Sequence, residues 1–464
     1  MADVTFPYPF FPVQFKADGT LFQQSDVDAL MAGLAKTPKA TDLFVLSHGW
    51  NNNMDQAKRL YSRLLENVAK QVQSSPDLKD RSYAICGVLW PSKEFDEADL
   101  IPGGAASLND SISPSHLRQR VEDLRAVVLG TGWPGAIADA AIEAKLDEIA
   151  KSVDQWEDRQ SVRERIVELL REILPKSAAD GEDASATFFA LKPAVVLEHL
   201  ARSLTPPPIK AGTGAASIDP FSTQKGGGVG GAAGFRDVFG GVKGAFSHLA
   251  NFTTYYQMKA RAGDVGVKGV APVVEKIRTV HADIRLHLIG HSFGCRLVTA
   301  VVNALPASDS MHPNTMTLLQ GAFSHNGFAA NYDGKNNDGA FRQVVAQKRV
   351  RGPVLITHTR NDKAVGIAYP IASRLAGQAA AALGDENDIF GGMGSNGAQT
   401  PKTTPEAIKG TLLAVGGAYP FTAGPTHGKL YNLQGDAFIS GHSDVTSEAV
   451  AYAIMRGMET QDAS

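Results

Sequence analysis

Two cysteines in 464 residues cannot build a disulfide framework. Cys86 falls in a strand-like run and Cys295 at the start of a helix-like one, so both read as buried thiols compatible with a reducing compartment. No run approaches the roughly 18 consecutive apolar residues that a membrane span needs. The opening stretch, MADVTFPYPFFPVQF, has no basic start, no unbroken apolar core and several prolines. No secretory signal is read there, and the cytoplasm is the default expectation. An excess of charge of either sign is also missing: the net charge is -3, which gives no reason to expect nucleic acid or an anionic membrane as partner. What remains is 43% hydrophobic and 20% charged, a composition that suits a large buried core. The length allows two or three domains, or one large α/β domain with an insertion.

Apolar periodicity alternates between strand and helix, with one foreign block. Residues 41–50, TDLFVLSHGW, form a buried-strand pattern. A helix face comes next at Met54, Ala57, Tyr61, Leu64, Leu65, Val68 and Val72, capped by the asparagine cluster before it. Residues 83–92, YAICGVLWPS, make the next strand. From 95 to 245 only helical patterns occur. Leu117, Val121, Leu124 and Val128 make one stripe; Ile142, Leu146 and Ile149 a second. Val162, Ile166, Leu169, Leu170, Ile173 and Leu174 make the strongest, and 188–204 a fourth. Residues 205–245 are too rich in Pro, Gly, Ser and Ala to pack, and read as a flexible loop. Their GGGVGG formally matches a dinucleotide fingerprint at Gly226, Gly228 and Gly231. No strand precedes it and no helix starts on it, so the match is compositional. Strand patterns resume at 285–289, 315–323, 352–360 and 428–435, with a last helix from about 447 to 458. The expected organisation is therefore an α/β core from 1–94 and 246–464, a helical cap at 95–204 and the loop at 205–245.

Strands alternating with helices imply right-handed crossovers and a mostly parallel sheet covered on both faces. Chemistry then gathers where strands end at their carboxyl side. Ser47-His48-Gly49-Trp50 closes the first strand, and Gly290-His291-Ser292-Phe293-Gly294 lies between a strand and a helix. Asn361-Asp362 and Gly441-His442-Ser443-Asp444 come after two later strands. The order serine, acid, histidine and the G-x-S-x-G strand-to-helix turn are those expected of an α/β-hydrolase.

The chain resembles that superfamily. HGWNNN, VLWPS, GHSFGCRLV and GHSD are similar to motifs of poorly characterised bacterial serine hydrolases, over roughly 41–92 and 251–458 but not over 95–245. The resemblance implies acyl hydrolysis without a cofactor. A serine hydroxyl is a weak nucleophile near neutral pH, so it needs a base and a group to orient that base. Ser292 is the expected nucleophile, His442 the base and then acid, Asp362 the orienting carboxylate. The backbone N–H groups of Trp50 and Phe293 are expected to meet the oxyanion, with His48, Gly49, Gly290, His291 and Gly294 supporting loop and elbow.

Each assignment has a plainer rival. With 46 glycines present, G-x-S-x-G alone is a weak signal, and the strand–helix context carries it. His427 competes with His442 but precedes the last strand. Asp333 and Asp444 compete with Asp362, and Asp444 reads better as a cap of the final helix. His287 and His291 are four apart on a strand-to-turn path without an acidic or cysteine partner, so no metal site is expected. The leading expectation is a carboxylester hydrolase, esterase or lipase-like, acting on a small, partly apolar ester or acyl substrate. Amide or thioester cleavage by the same residues is the alternative, and a non-catalytic binding protein on the same fold a third. The helical block could cap the cleft, although amphipathic helices more often bury their stripes against each other.

Overall fold

The computed structural model describes residues 4–36, 38–50, 52–92, 114–131, 133, 135–201, 241–362, 365, 389–400, 406–421 and 428–460. Eight strands form one sheet: β1 (Phe10–Gln14), β2 (Asp42–Ser47), β3 (Tyr83–Leu89), β4 (Arg285–His291), β5 (Thr315–Leu319), β6 (Val354–His358), β7 (Ala407–Thr411) and β8 (Leu430–Gln434). Their order is β1-β3-β2-β4-β5-β6-β8-β7, and every neighbouring pair is parallel. The main α-helices are α1 (Gln24–Leu34), α2 (Met54–Ser74), α3 (Pro114–Leu129), α4 (Ala140–Ser152), α5 (Gln160–Ile173), α6 (Ser185–Ala190) and α7 (Pro193–Leu200). They continue with α8 (Gly241–Asp264), α9 (Ala271–Val280), α10 (Phe293–Ala304) and α11 (Glu448–Glu459).

Strand periodicity divides the core. Along β2, Leu43 and Val45 face one apolar cluster while Phe44 and Leu46 face the other, as a period of two requires. The first cluster takes in α1, α8, α9 and α10; the second takes in α2 and α11. β2 is wholly buried between β3 and β4, which is why it reads as an unbroken apolar run. Helix α2 starts on a capping box: Asn53 accepts from the Gln56 N–H and Gln56 accepts from the Asn53 N–H.

Among the described residues, the block after β3 is helical, as its stripes indicate. Those stripes face inward: Leu117, Val121, Leu146, Ile149, Ile166 and Leu170 join the same cluster as α8. The fourth stripe splits at Pro193, which opens α7 where its missing N–H costs nothing. Helix α8 begins at Gly241, inside the stretch expected to be loop. The rest of that stretch, with GGGVGG, lies outside the described residues.

Polar ties fasten the block to α8. The Trp156 indole donates to the Val242 carbonyl at 2.7 Å and the Tyr256 hydroxyl to that of Pro175 at 2.6 Å. The buried Arg261 guanidinium donates to the carbonyls of Pro91, Val127 and Val128. Lys259, also buried, lies 2.6 Å from both Asp180 and Asp183.

Two strands go beyond the sequence expectation. β1 carries Pro12, and proline survives in a sheet only where no ladder bond is needed from it; β1 is an edge strand with β3 as its one partner. β7 is the other edge, AIKGT, too polar to announce itself. β5 is shorter than its apolar run: it stops at Leu319, and Gln320 turns into the left-handed region at φ 51°.

Candidate active site

Parallel register brings the strand ends together. Ser47 of β2 lies opposite Gly290 of β4, His291 opposite Leu319 of β5, and His358 of β6 opposite Gln434 of β8. The segments that leave these strands therefore emerge at one rim.

At the end of β4 the chain must reverse into α10 within one residue. Ser292 makes that turn at φ 57° and ψ -122°, a conformation that L-residues adopt only under constraint. The glycines on either side are needed for packing: a Cβ on Gly290 would lie 2.4 Å from the Gly294 carbonyl oxygen, and one on Gly294 2.1 Å from that of Ser47. The Ser292 N–H donates to Leu319 O at 3.0 Å, which ties the turn to β5.

The Ser292 hydroxyl lies 2.8 Å from His442 Nε2, and His442 Nδ1 lies 2.8 Å from Asp362 Oδ2. A hydroxyl donating to Nε2 and an Nδ1–H donating to the carboxylate satisfy both contacts with one tautomer. The Asp362 side chain is fully enclosed, and its Oδ1 accepts the Val365 N–H at 3.0 Å. His442 is partly exposed while Ser292 is 3% exposed, so the imidazole lies on the solvent side of the relay. His291 donates from Nε2 to the main-chain carbonyl of His442 at 2.9 Å, which anchors the histidine loop. Burial, with His442 nearby, pushes the His291 pKa down to about 3.

The loop after β2 presses against the serine. A Cβ on Gly49 would fall 2.3 Å from Ser292 Cβ, so only glycine fits there. His48 is fully buried and burial lowers its pKa to about 4. Its Nε2 accepts the Trp90 N–H at 3.3 Å, which leaves the proton on Nδ1 to donate to Gly49 O at 2.8 Å. The ring stacks with the indoles of Trp90 and Trp133, with centroids 5.4 Å and 5.8 Å away. The Gly49 carbonyl and the Trp50 N–H share one trans peptide, so fixing the first also aims the second. Phe293 is the first residue of α10, where an N–H has no partner within the helix.

The rival residues lie elsewhere. Asp333 sits in an exposed turn, accepting from Lys335 N–H and the Asn337 side chain. Asp444 does not cap the last helix: it accepts from the N–H and hydroxyl of Ser440 and closes the histidine loop, while Ser447 caps α11. His427 lies outside the described residues. His287 is engaged at the opposite end of β4, within 3.0 Å of Asp42 and 2.9 Å of Thr315. Four residue steps take the strand from it to His291, roughly 13 Å along the strand, too far to share a metal ion.

Tyr61, Trp90 and Trp133 are members of the site that sequence reasoning does not single out. The Tyr61 hydroxyl accepts the His48 N–H at 2.7 Å and donates to Val88 O at 2.7 Å, while Trp133 donates to Ser92 O at 3.0 Å. Tyr61 reads only as part of an apolar helix face, and Trp90 is visible in the VLWPS motif without a role. Trp133 has no sequence signal. Compared with known protein families, curated proteins and solved structures, the chain matches none.

Proposed function

We propose that the protein is a serine hydrolase of the α/β-hydrolase type that cleaves carboxylic esters. The observation that carries this reading is the continuous relay from Ser292 Oγ through His442 to Asp362, 2.8 Å at each step, on a strained strand-to-helix turn. The parallel sheet supports it, with the serine after β4, the acid after β6 and the histidine after β8.

In this reading His442 Nε2 takes the Ser292 proton as Oγ attacks the ester carbonyl. The oxyanion forms against the N–H groups of Phe293 and Trp50. Collapse breaks the bond to the alcohol, which leaves with the proton from Nε2. Water then gives its proton to the same nitrogen and attacks the acyl-enzyme, releasing the acid and restoring Ser292. Asp362 holds Nδ1–H throughout.

Half-buried Trp50 and Tyr255 lie beside the Phe293 ring, with centroids 6.1 Å and 5.3 Å from it, and they favour a partly apolar acyl group. Tyr255 belongs to α8, the helix to which the inserted block is fastened, so that block forms a cap that shapes the substrate side.

Labelling with a fluorophosphonate probe tests the reading, with loss of labelling expected in Ser292→Ala. A panel of p-nitrophenyl esters, thioesters and peptides then assigns the leaving group. Labelling that persists in Ser292→Ala overturns the assignment.

A further inference from the structure

Gln320 comes directly after β5 at the same rim. It is a non-glycine residue at φ 51°, and its side chain is fully buried. All of its side-chain polar atoms are engaged. Nε2 lies 3.3 Å from Asp362 Oδ2 and 3.1 Å from Gly394 O. Oε1 accepts the Thr357 hydroxyl at 3.0 Å, and the Gln320 backbone N–H donates to that same Thr357 oxygen at 3.2 Å. A flipped amide would set Oε1 against a carboxylate oxygen and a carbonyl oxygen, both acceptors. Only the orientation with Nε2 toward Asp362 satisfies the group.

Asp362 Oδ2 is also the oxygen that accepts from His442 Nδ1. We infer that Gln320 is a positioning residue for the relay: it fixes the Asp362 carboxylate for His442 and shares the charge of that one oxygen. This rests on the Ser292–His442–Asp362 reading. A donor on the carboxylate draws off part of the negative charge that would otherwise stabilise an imidazolium. Removing that donor should therefore favour the protonated imidazole over the neutral base. His291, the other titratable ring facing His442, with centroids 5.1 Å apart, stays in place in every variant. Thr357, on β6, holds the far end of the amide, so the geometry is set from two adjacent strands.

Gln320→Met keeps the length and most of the volume but has no donor. The maximal rate of fluorophosphonate labelling should fall about tenfold, because Asp362 is less firmly held. The midpoint of the acid limb of the labelling rate should also rise, by about half a pH unit. Thr357→Val leaves Gln320 in place and loosens its amide; a smaller rise is expected, and this variant keeps the test alive if changes at 320 prevent folding.

A rise in Gln320→Met above wild type, or a rise in Thr357→Val where Gln320→Met does not fold, supports the assignment. Folded variants whose midpoints equal that of the wild type overturn it, whatever their rates. A wild-type protein that the probe does not label, or that it labels equally in Ser292→Ala, overturns instead the reading on which the inference rests.

Discussion

Replacing Gly49 by alanine is the sharpest perturbation of the proposed centre that a single methyl group allows. The added Cβ would lie 2.3 Å from Ser292 Cβ and 2.9 Å from both Ser292 Oγ and His291 O. Carbon atoms in contact prefer about 3.5–4.0 Å, so something must yield by more than about 1 Å. The elbow has little freedom to yield, since its glycines already pack against backbone atoms. The loop at 48–50 must move, and the Trp50 N–H moves with it. A displacement of about 1 Å can cost about 100-fold in rate. Complete loss of an oxyanion donor costs about 2.7–4 kcal/mol of transition-state stabilisation. We therefore expect kcat/KM on an ester turned over by the wild type to fall by about 10²- to 10³-fold, with about 1–3 kcal/mol lost from stability through overpacking. Steady-state kinetics paired with denaturant unfolding separate the two effects. Gly441→Ala is the control: it adjoins His442, yet its Cβ would meet nothing within 4 Å, and activity should persist. If folded Gly49→Ala stayed within about threefold of wild type, this loop would not border the reacting atoms.

Three further outcomes concern other parts of the molecule. His48 has its pKa lowered to about 4 by burial, below its unfolded value, so its contribution to stability is complete above about pH 6.5. That contribution is lost as pH falls toward 4, by about 3 kcal/mol at most; unfolding free energies of His48→Gln should lack this share of the acid slope. Lys259→Met leaves the buried Asp183 and the partly exposed Asp180 without their cation and should destabilise by about 3–5 kcal/mol in denaturant unfolding, partly recovered when Asp183→Asn is added. Burial raises the thiol pKa of both Cys86, to about 12, and Cys295, so a disulfide reagent should react slowly with the native protein and titrate both thiols in denaturant.

Much of this arrangement is readable from residue order because the central strands are buried on both faces. β2, β3 and β4 show as apolar runs, and the helix stripes at Leu117, Leu146 and Ile166 repeat at the spacing a helix needs to bury one side. The features that escape do so for physical reasons. β1 is strand in spite of Pro12 because an edge needs fewer ladder bonds, and β7 lacks apolar content because an edge can do without it. Asp444 reads as a helix cap although Ser447 is equally suited to cap α11, and only three-dimensional proximity shows the aspartate turning back to Ser440. The aromatic stack on His48 joins residues 48, 90 and 133, a combination that no local pattern encodes.

Register explains why the relay can be anticipated at all, and why one member escapes. In an all-parallel sheet every strand delivers its next residue to the same rim, so asking what comes after each strand selects His48-Gly49-Trp50, Ser292, Asp362 and His442 without any knowledge of loop paths. The same question put to β5 returns Gln320, paired through Thr357 to β6. Sequence reading passes over it for two reasons. The apolar run continues through Phe323 and hides where the strand ends, and a glutamine neither titrates nor attacks, so a search for acids, bases and nucleophiles ignores it. Position after a strand is thus the stronger criterion and side-chain chemistry the weaker one. A neutral amide at the rim can hold a carboxylate in place without carrying charge, because it contributes a donor that burial leaves no water to replace.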